Sequence, residues 1–234
     1  MSWTADGSAL SDHTDFVRVI NEGGPGKRGA NLNVSGANGE WSDYDKPYTG
    51  ADILLEVGLK HDSTYQHLSE LKKLFGKPNG FVTLQRVDDH RGTIEADVEL
   101  LNSPQPTQDR FTYLFQLRNP EGFWKDATVT TVSGNPPSIT TSGDMPIDDM
   151  VVTFSGPGTA THTDSGWGTA SLEWEGSGTA IFTMSKPRSV VKGGVNAEGS
   201  AIISDEWWWR FTPGEAQSIS TSVSITVDYR NKWA

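Results

Sequence analysis

Alternation of apolar and polar residues with a period of two runs through most of this chain, and helical periodicity is confined to one short stretch. The most legible run is 206–233, EWWWRFTPGEAQSISTSVSITVDYRNKW. Along Ile219, Thr221, Val223, Ile225, Val227 and Tyr229 every second residue is apolar or β-branched, while polar residues take the alternate places, which predicts one strand with a wet face. Just before it, Trp207, Trp209 and Phe211 share one face and Glu206, Trp208 and Arg210 the other, and Pro213-Gly214 turns the chain. A buried aromatic side chain removes about 150–250 Å² from water. The first three aromatics are therefore assigned to a core, and Trp208 is left facing outward.

The rest of the chain divides in two. In the first half, alternation predicts strands at 16–20, 52–60, 81–87, 92–101 and 110–118, the last reading RFTYLFQLR. The single helix falls at 64–75, with Ser63 and Gln66 as a capping pair, Leu68, Leu71, Leu74 and Phe75 as its apolar stripe, and Gly76 and Pro78 as its stop. Between the first two strands, 21–30 reads as a loop. Its Gly26-Lys27 lacks both the Gly six residues before the Lys and the Ser or Thr after it, so it is no phosphate loop. From 127 onward the helical period vanishes. Short β-rich pieces at 127–133, 138–142, 150–155, 169–174, 179–184, 188–192, 199–203, 206–211 and 218–229 predict an antiparallel sandwich or jelly roll. The composition shift places the boundary at 124–127, giving domains 1–125 and 126–234 in a mainly β protein.

Composition narrows the chemistry more than it widens it. With 25 Gly, 12 Pro and 21% charged residues the chain has the make-up of a turn-rich β protein. The absence of Cys excludes disulfides and thiolate metal sites. A formal net charge of -11 argues against general nucleic-acid binding. No apolar run is long enough to span a bilayer, and the first residues resemble no export signal, so no membrane insertion and synthesis in a cytoplasm are expected. His13, His61, His67, His90 and His162 are dispersed without metal-ligand spacing on any one element, and read as surface histidines; no metal and no cofactor is expected. No Gly-x-Ser-x-Gly elbow occurs. Asp148, Asp149, Glu173, Glu175, Asp205 and Glu206 lie near tryptophans and raise a glycosidase-like pair, but acids alternating out of strands are ordinarily a solvated face. Exposed tryptophans on a sandwich also stack on sugars, which makes Trp167, Trp174 and Trp208 the carbohydrate candidates.

The order of parts resembles the distal tail protein of long-tailed, siphovirus-type bacteriophages over nearly the whole chain. The resemblance is carried by Gly-Ala-Asn-Leu-Asn-Val at 29–34, Lys46-Pro47-Tyr48, the helix LSELKKLFGK, the strand RFTYLFQLRNPEGFW, the run GDMPIDDMVVTFSGPGTATHT at 143–163, and the closing stretch ending in Tyr-Arg and a near-terminal Trp. It implies an N-terminal ring-forming domain, in six copies around the channel of the tail tip, with a galectin-like sandwich outside it. The implied partners are other copies of the chain, the tail tube protein and a tail-tip or baseplate hub protein. DNA would pass through the lumen without specific binding, and the protein would reside in the virion with a structural rather than enzymatic role. The alternative from another class is a carbohydrate-binding module for host attachment, which would be monomeric where a ring subunit has a heterologous, closing interface.

Overall fold

Period-two patterning becomes strand throughout the computed structural model, which describes residues 2–22, 26–27, 48–49, 51–77, 80–109, 111–164, 168–185, 188–203 and 209–233. The expectations for Trp167, Trp207, Trp208, Asp205, Glu206 and the 29–34 run lie outside these residues. The chain divides into two units, Met1–Ala127 and Thr128–Trp233.

The first unit begins with a hairpin that the alternation did not predict. β1 (Trp3–Ala5) and β2 (Ser8–Ala9) are joined by Asp6-Gly7, both at positive φ (47° and 77°), the two-residue turn whose twist suits the flanking strands. A 3-10 turn at Leu10–Asp12 leads into β3 (Thr14–Glu22). β4 (Gly26–Lys27) and β5 (Tyr48–Thr49) pair with each other. There follow β6 (Ala51–Leu59), α1 (Thr64–Phe75), β7 (Val82–Asp88), β8 (Gly92–Leu100), β9 (Gln105–Pro106), β10 (Thr112–Asn119) and β11 (Trp124–Asp126). The main sheet runs β2-β1-β7-β8-β10-β6-β3, with β9 beside β10 and β11 beside β8. Its neighbours pair antiparallel.

Alternation along these strands sends one set of side chains inward. Val82, Leu84, Ile94, Ala96, Val98, Phe115, Leu117, Ile53, Leu55, Val57 and Leu59 are no more than 1% exposed. Helix α1 lies over this side through Leu68, Leu71 and Phe75, with the Phe75 ring 5.5 Å from that of Phe115, while Leu74 is half-buried. The helix starts where the sequence predicts, by different means. The Ser63 side chain makes no cap bond; its carbonyl accepts the N–H groups of Gln66 and His67, and the Thr64 hydroxyl donates to Lys60 O. At the other end a Cβ on Gly76 would sit 2.6 Å from the Lys72 carbonyl that its own N–H binds, so only glycine closes the helix this tightly. Arg86 also points inward, with its guanidinium 4.6 Å from the Trp124 ring and 5.7 Å from Trp3, so that one cation–π cluster ties β1, β7 and β11 together.

The second unit contains β12 (Thr130–Gly134), β13 (Val151–Phe154), β14 (Gly158–Asp164), β15 (Gly168–Trp174), β16 (Ala180–Thr183), β17 (Ser189–Lys192), β18 (Val195–Asn196), β19 (Ala201–Ile203), β20 (Ser218–Thr221), β21 (Ile225–Tyr229) and β22 (Lys232–Trp233). All but β22 build two sheets, β12-β21-β13-β16-β17-β18 and β19-β15-β14-β20. One core is shared between them: Val152, Phe154, Phe182, Val190 and Val227 come from the first, Ala160, Leu172, Trp174 and Ile219 from the second, and Trp209 and Phe211 join both sets. The inward placement of Trp209 and Phe211 follows the sequence reading.

Three expectations for this unit are corrected. The run 219–229 is two strands, because the chain turns from one sheet to the other at 222–224, where Ser222 N–H bonds Thr159 O and Ser224 O accepts Ser155 N–H. A strand that rounds this corner keeps its inward side facing the same core, so the period-two pattern passes through unbroken. The segment 138–142 is not a strand beyond an isolated bridge from Thr140 to Ala216; Thr141 N–H is held by Glu215 O, and Thr140 O by the Tyr229 hydroxyl. Conversely, β14 was not predicted, because its inward positions are Ala160, His162 and Asp164 rather than large apolar residues.

Two outcomes follow. Trp209→Ala removes a 1% exposed ring together with its indole bond to Ala170 O, and should lower stability by about 3–5 kcal/mol in urea melts of the full chain, against about 0.5 kcal/mol or less for the half-exposed Ile202→Ala. His162 is buried against Trp209 and Phe211. Burial pushes its pKa below the ordinary 6.5, more than the Gln217 hydrogen bond and the Asp164 charge push it up. The unfolded chain then binds the extra proton first. Stability from this site is complete above 6.5 and is lost as pH falls through the lowered value. Urea midpoints measured across this range should decline on acidification, and His162→Gln should flatten the decline.

Candidate functional site

The first unit carries three features that its packing does not explain. Where β10 starts beside α1, residues 61–66 with Phe111 and Tyr113 line a cleft of about 520 Å³. The His61 ring lies flat on Phe111, with centroids 4.0 Å apart and planes 14° apart. Tyr65, on the first turn of α1, is 86% exposed. Aromatic faces lie here beside Asp62 and Gln66; none of the residues lining the cleft forms a nucleophile–base pair.

Beside that cleft, His13 and His67 meet across 54 residues of sequence, with Nδ1 atoms 3.2 Å apart. His67 Nε2 lies 3.0 Å from Asp62 Oδ1, a hydrogen bond that is the main reason the Asp62 carboxyl sits below its ordinary value. His13 is held by its backbone: its N–H donates to Leu10 O and its carbonyl accepts Lys60 N–H. Spacing within any one element leaves the histidines dispersed, because this pair joins two elements far apart in sequence. The signal that finds this pair is the register of β3 on β6, Thr14 opposite Leu59, which brings residue 13 to the start of the helix.

The third feature is the outer side of the sheet. β3 is its edge. Phe16 and Ile20 on that strand are 45% and 49% exposed, and Leu54 and Leu114 on β6 and β10 are half-buried. Registers place Phe16 opposite Gly58, and Arg18, Glu56 and Leu114 in one row, with Arg18 and Glu56 ion-paired. The Phe16 ring lies over Gly58, where a Cβ would strike it at 2.2 Å. Further along the same face, β8 presents Glu95, Asp97 and Glu99, with Gln85 donating to Glu95 at 2.8 Å and Thr83 to Asp97 at 2.8 Å. The face is thus apolar at the β3 edge and acidic at the middle of the sheet.

Of the carbohydrate candidates, Trp174 is corrected. It ends β15 with its side chain inward, 2% exposed, its indole N–H donating to Gly178 O and its ring pressed on Gly176. It has no open face for a sugar. Trp167 and Trp208 lie outside the described residues. Among the described acids, Asp148 and Asp149 both bind the 4% exposed Lys232, at 2.6 and 3.1 Å, while Asp205 and Glu206 lie outside the described residues. Burial alone would lower the Lys232 pKa, but the two carboxylates outweigh it and hold the ammonium above its ordinary value. Glu173 sits on β15 opposite Ile202, and Glu175 is exposed.

No family model matches the sequence, and no curated protein does. Among solved structures, the crystal structure of SPP1 Dit (gp 19.1), described as a paradigm of the hub adsorption apparatus in phages infecting Gram-positive bacteria, superimposes with a TM-score of 0.65 at 13% identity. The match covers 100% of this chain and 99% of that one, so from end to end the chain has the fold of that phage protein.

Proposed function

We propose that the chain is a structural protein of a phage tail tip: a distal tail protein whose first unit, in six copies, forms a ring between the tail tube and the tip or baseplate proteins. The second unit is the galectin-like sandwich carried outside that ring. The observation that carries this reading is the extent of the structural match. A β-sandwich alone serves many functions. Here a helix-bearing sheet unit and a sandwich, in this order, match one tail-hub protein over essentially the whole of both chains.

The outer side of the first unit's sheet supports the assembly. Phe16 and Ile20 on the edge strand β3 are what a neighbouring copy would cover, and a heterologous contact repeated around an axis closes into a ring. The acidic character of the chain suits a lumen through which DNA passes without being held, since like charges repel.

In tails assembled with Phe16→Glu/Ile20→Glu, the ring should be lost while the isolated variant melts like the parent. Incorporation of that variant in normal copy number would show that this face is not the contact. A single copy of the parent per tail would contradict the ring.

A further inference from the structure

We propose that His13 and His67 form a binding site for a divalent transition-metal ion, Zn²⁺ in the first instance, which clamps the 3-10 turn after β2 to the first turn of α1. Two imidazole nitrogens bound to one tetrahedral zinc at about 2.0–2.1 Å are separated by roughly 3.3–3.4 Å. The two Nδ1 atoms stand 3.2 Å apart, so the pair already has nearly the bite that the ion requires.

The surroundings fit. Asp62 on Nε2 of His67 places that ring's proton away from His13 and turns the Nδ1 lone pair toward it, the carboxylate–histidine arrangement that orients metal-binding imidazoles. The His13 backbone is fixed at both N–H and carbonyl, and Lys60 Nζ holds the adjoining Asp12 carbonyl at 3.1 Å, so both ligands sit on anchored elements. Binding replaces the proton shared between the Nδ1 atoms, and the His13 proton moves to its Nε2. Among the described residues no third ligand is already gathered. Water fills the remaining positions, or Glu70, one turn on from His67, turns in from Lys73. Imidazole donors select zinc, copper or nickel over magnesium or calcium.

The test is calorimetric titration of tag-free full-length protein with Zn²⁺ at neutral pH, together with thermal melts. One ion per chain is expected, with a zinc-dependent rise in Tm. His13→Gln and His67→Gln should each weaken binding by at least about tenfold and abolish the rise in Tm, and Asp62→Asn, which leaves both ligands in place, should weaken it by about 10–100-fold. Asp62 has a largely exposed side chain, so this variant keeps the test alive if a histidine variant fails to fold. No zinc bound by the parent, or equal affinity in the parent, Asp62→Asn and the folded histidine variants, would overturn the proposal.

Discussion

The main sheet of the first unit has two faces, while the described residues supply one 12-residue helix, about 18 Å long, for a sheet seven strands and roughly 29 Å wide. Everything else in the unit follows from how that shortage is handled. Eleven inward apolar residues from β7 through β6 are buried to 1% or less, so the helix, the Leu10 turn and the Trp3–Arg86–Trp124 cluster serve that side alone. The outer side is left with half-exposed apolar residues at the β3 edge and acids on β8. A monomer with such a face carries an unresolved surface. A subunit whose neighbour covers it does not.

The second unit solves its core differently. Its two sheets share a single interior, and buried polar residues of the unit are given partners: His162 with Gln217, Asp164 with the backbone and hydroxyl of Thr212, Lys232 with Asp148 and Asp149. An unpartnered buried polar group costs about 1–3 kcal/mol, so these pairings decide whether the sandwich forms at all. They also use up Asp148 and Asp149, two of the six acids that, read from sequence, raised a glycosidase-like pair.

Much of the fold was legible where alternation was strong and its inward residues were large, as along 53–59, 94–98 and 225–229. The helix was legible to the residue, since its stripe and its Gly stop are local features. What stayed hidden was short, small-residued or non-local. β14 hides because Ala160, His162 and Asp164 face the core; the corner at 222–224 hides because both sheets look onto one interior; β1 and β2 hide because they are short, although Asp6-Gly7 is a hairpin signal in its own right. The same holds for the candidate sites. Trp174 looks like any other tryptophan near glycines until its parity with Leu172 is known, and His13 meets His67 only through the pairing of β3 with β6.

The account turns on whether the first unit encircles an axis. Electron microscopy of assembled tails containing this protein, with subunits counted at the tip, measures this directly. The account predicts a closed ring of six copies with first units around the channel and sandwiches at the periphery. A single copy per tail, or sandwiches lining the channel, would contradict it.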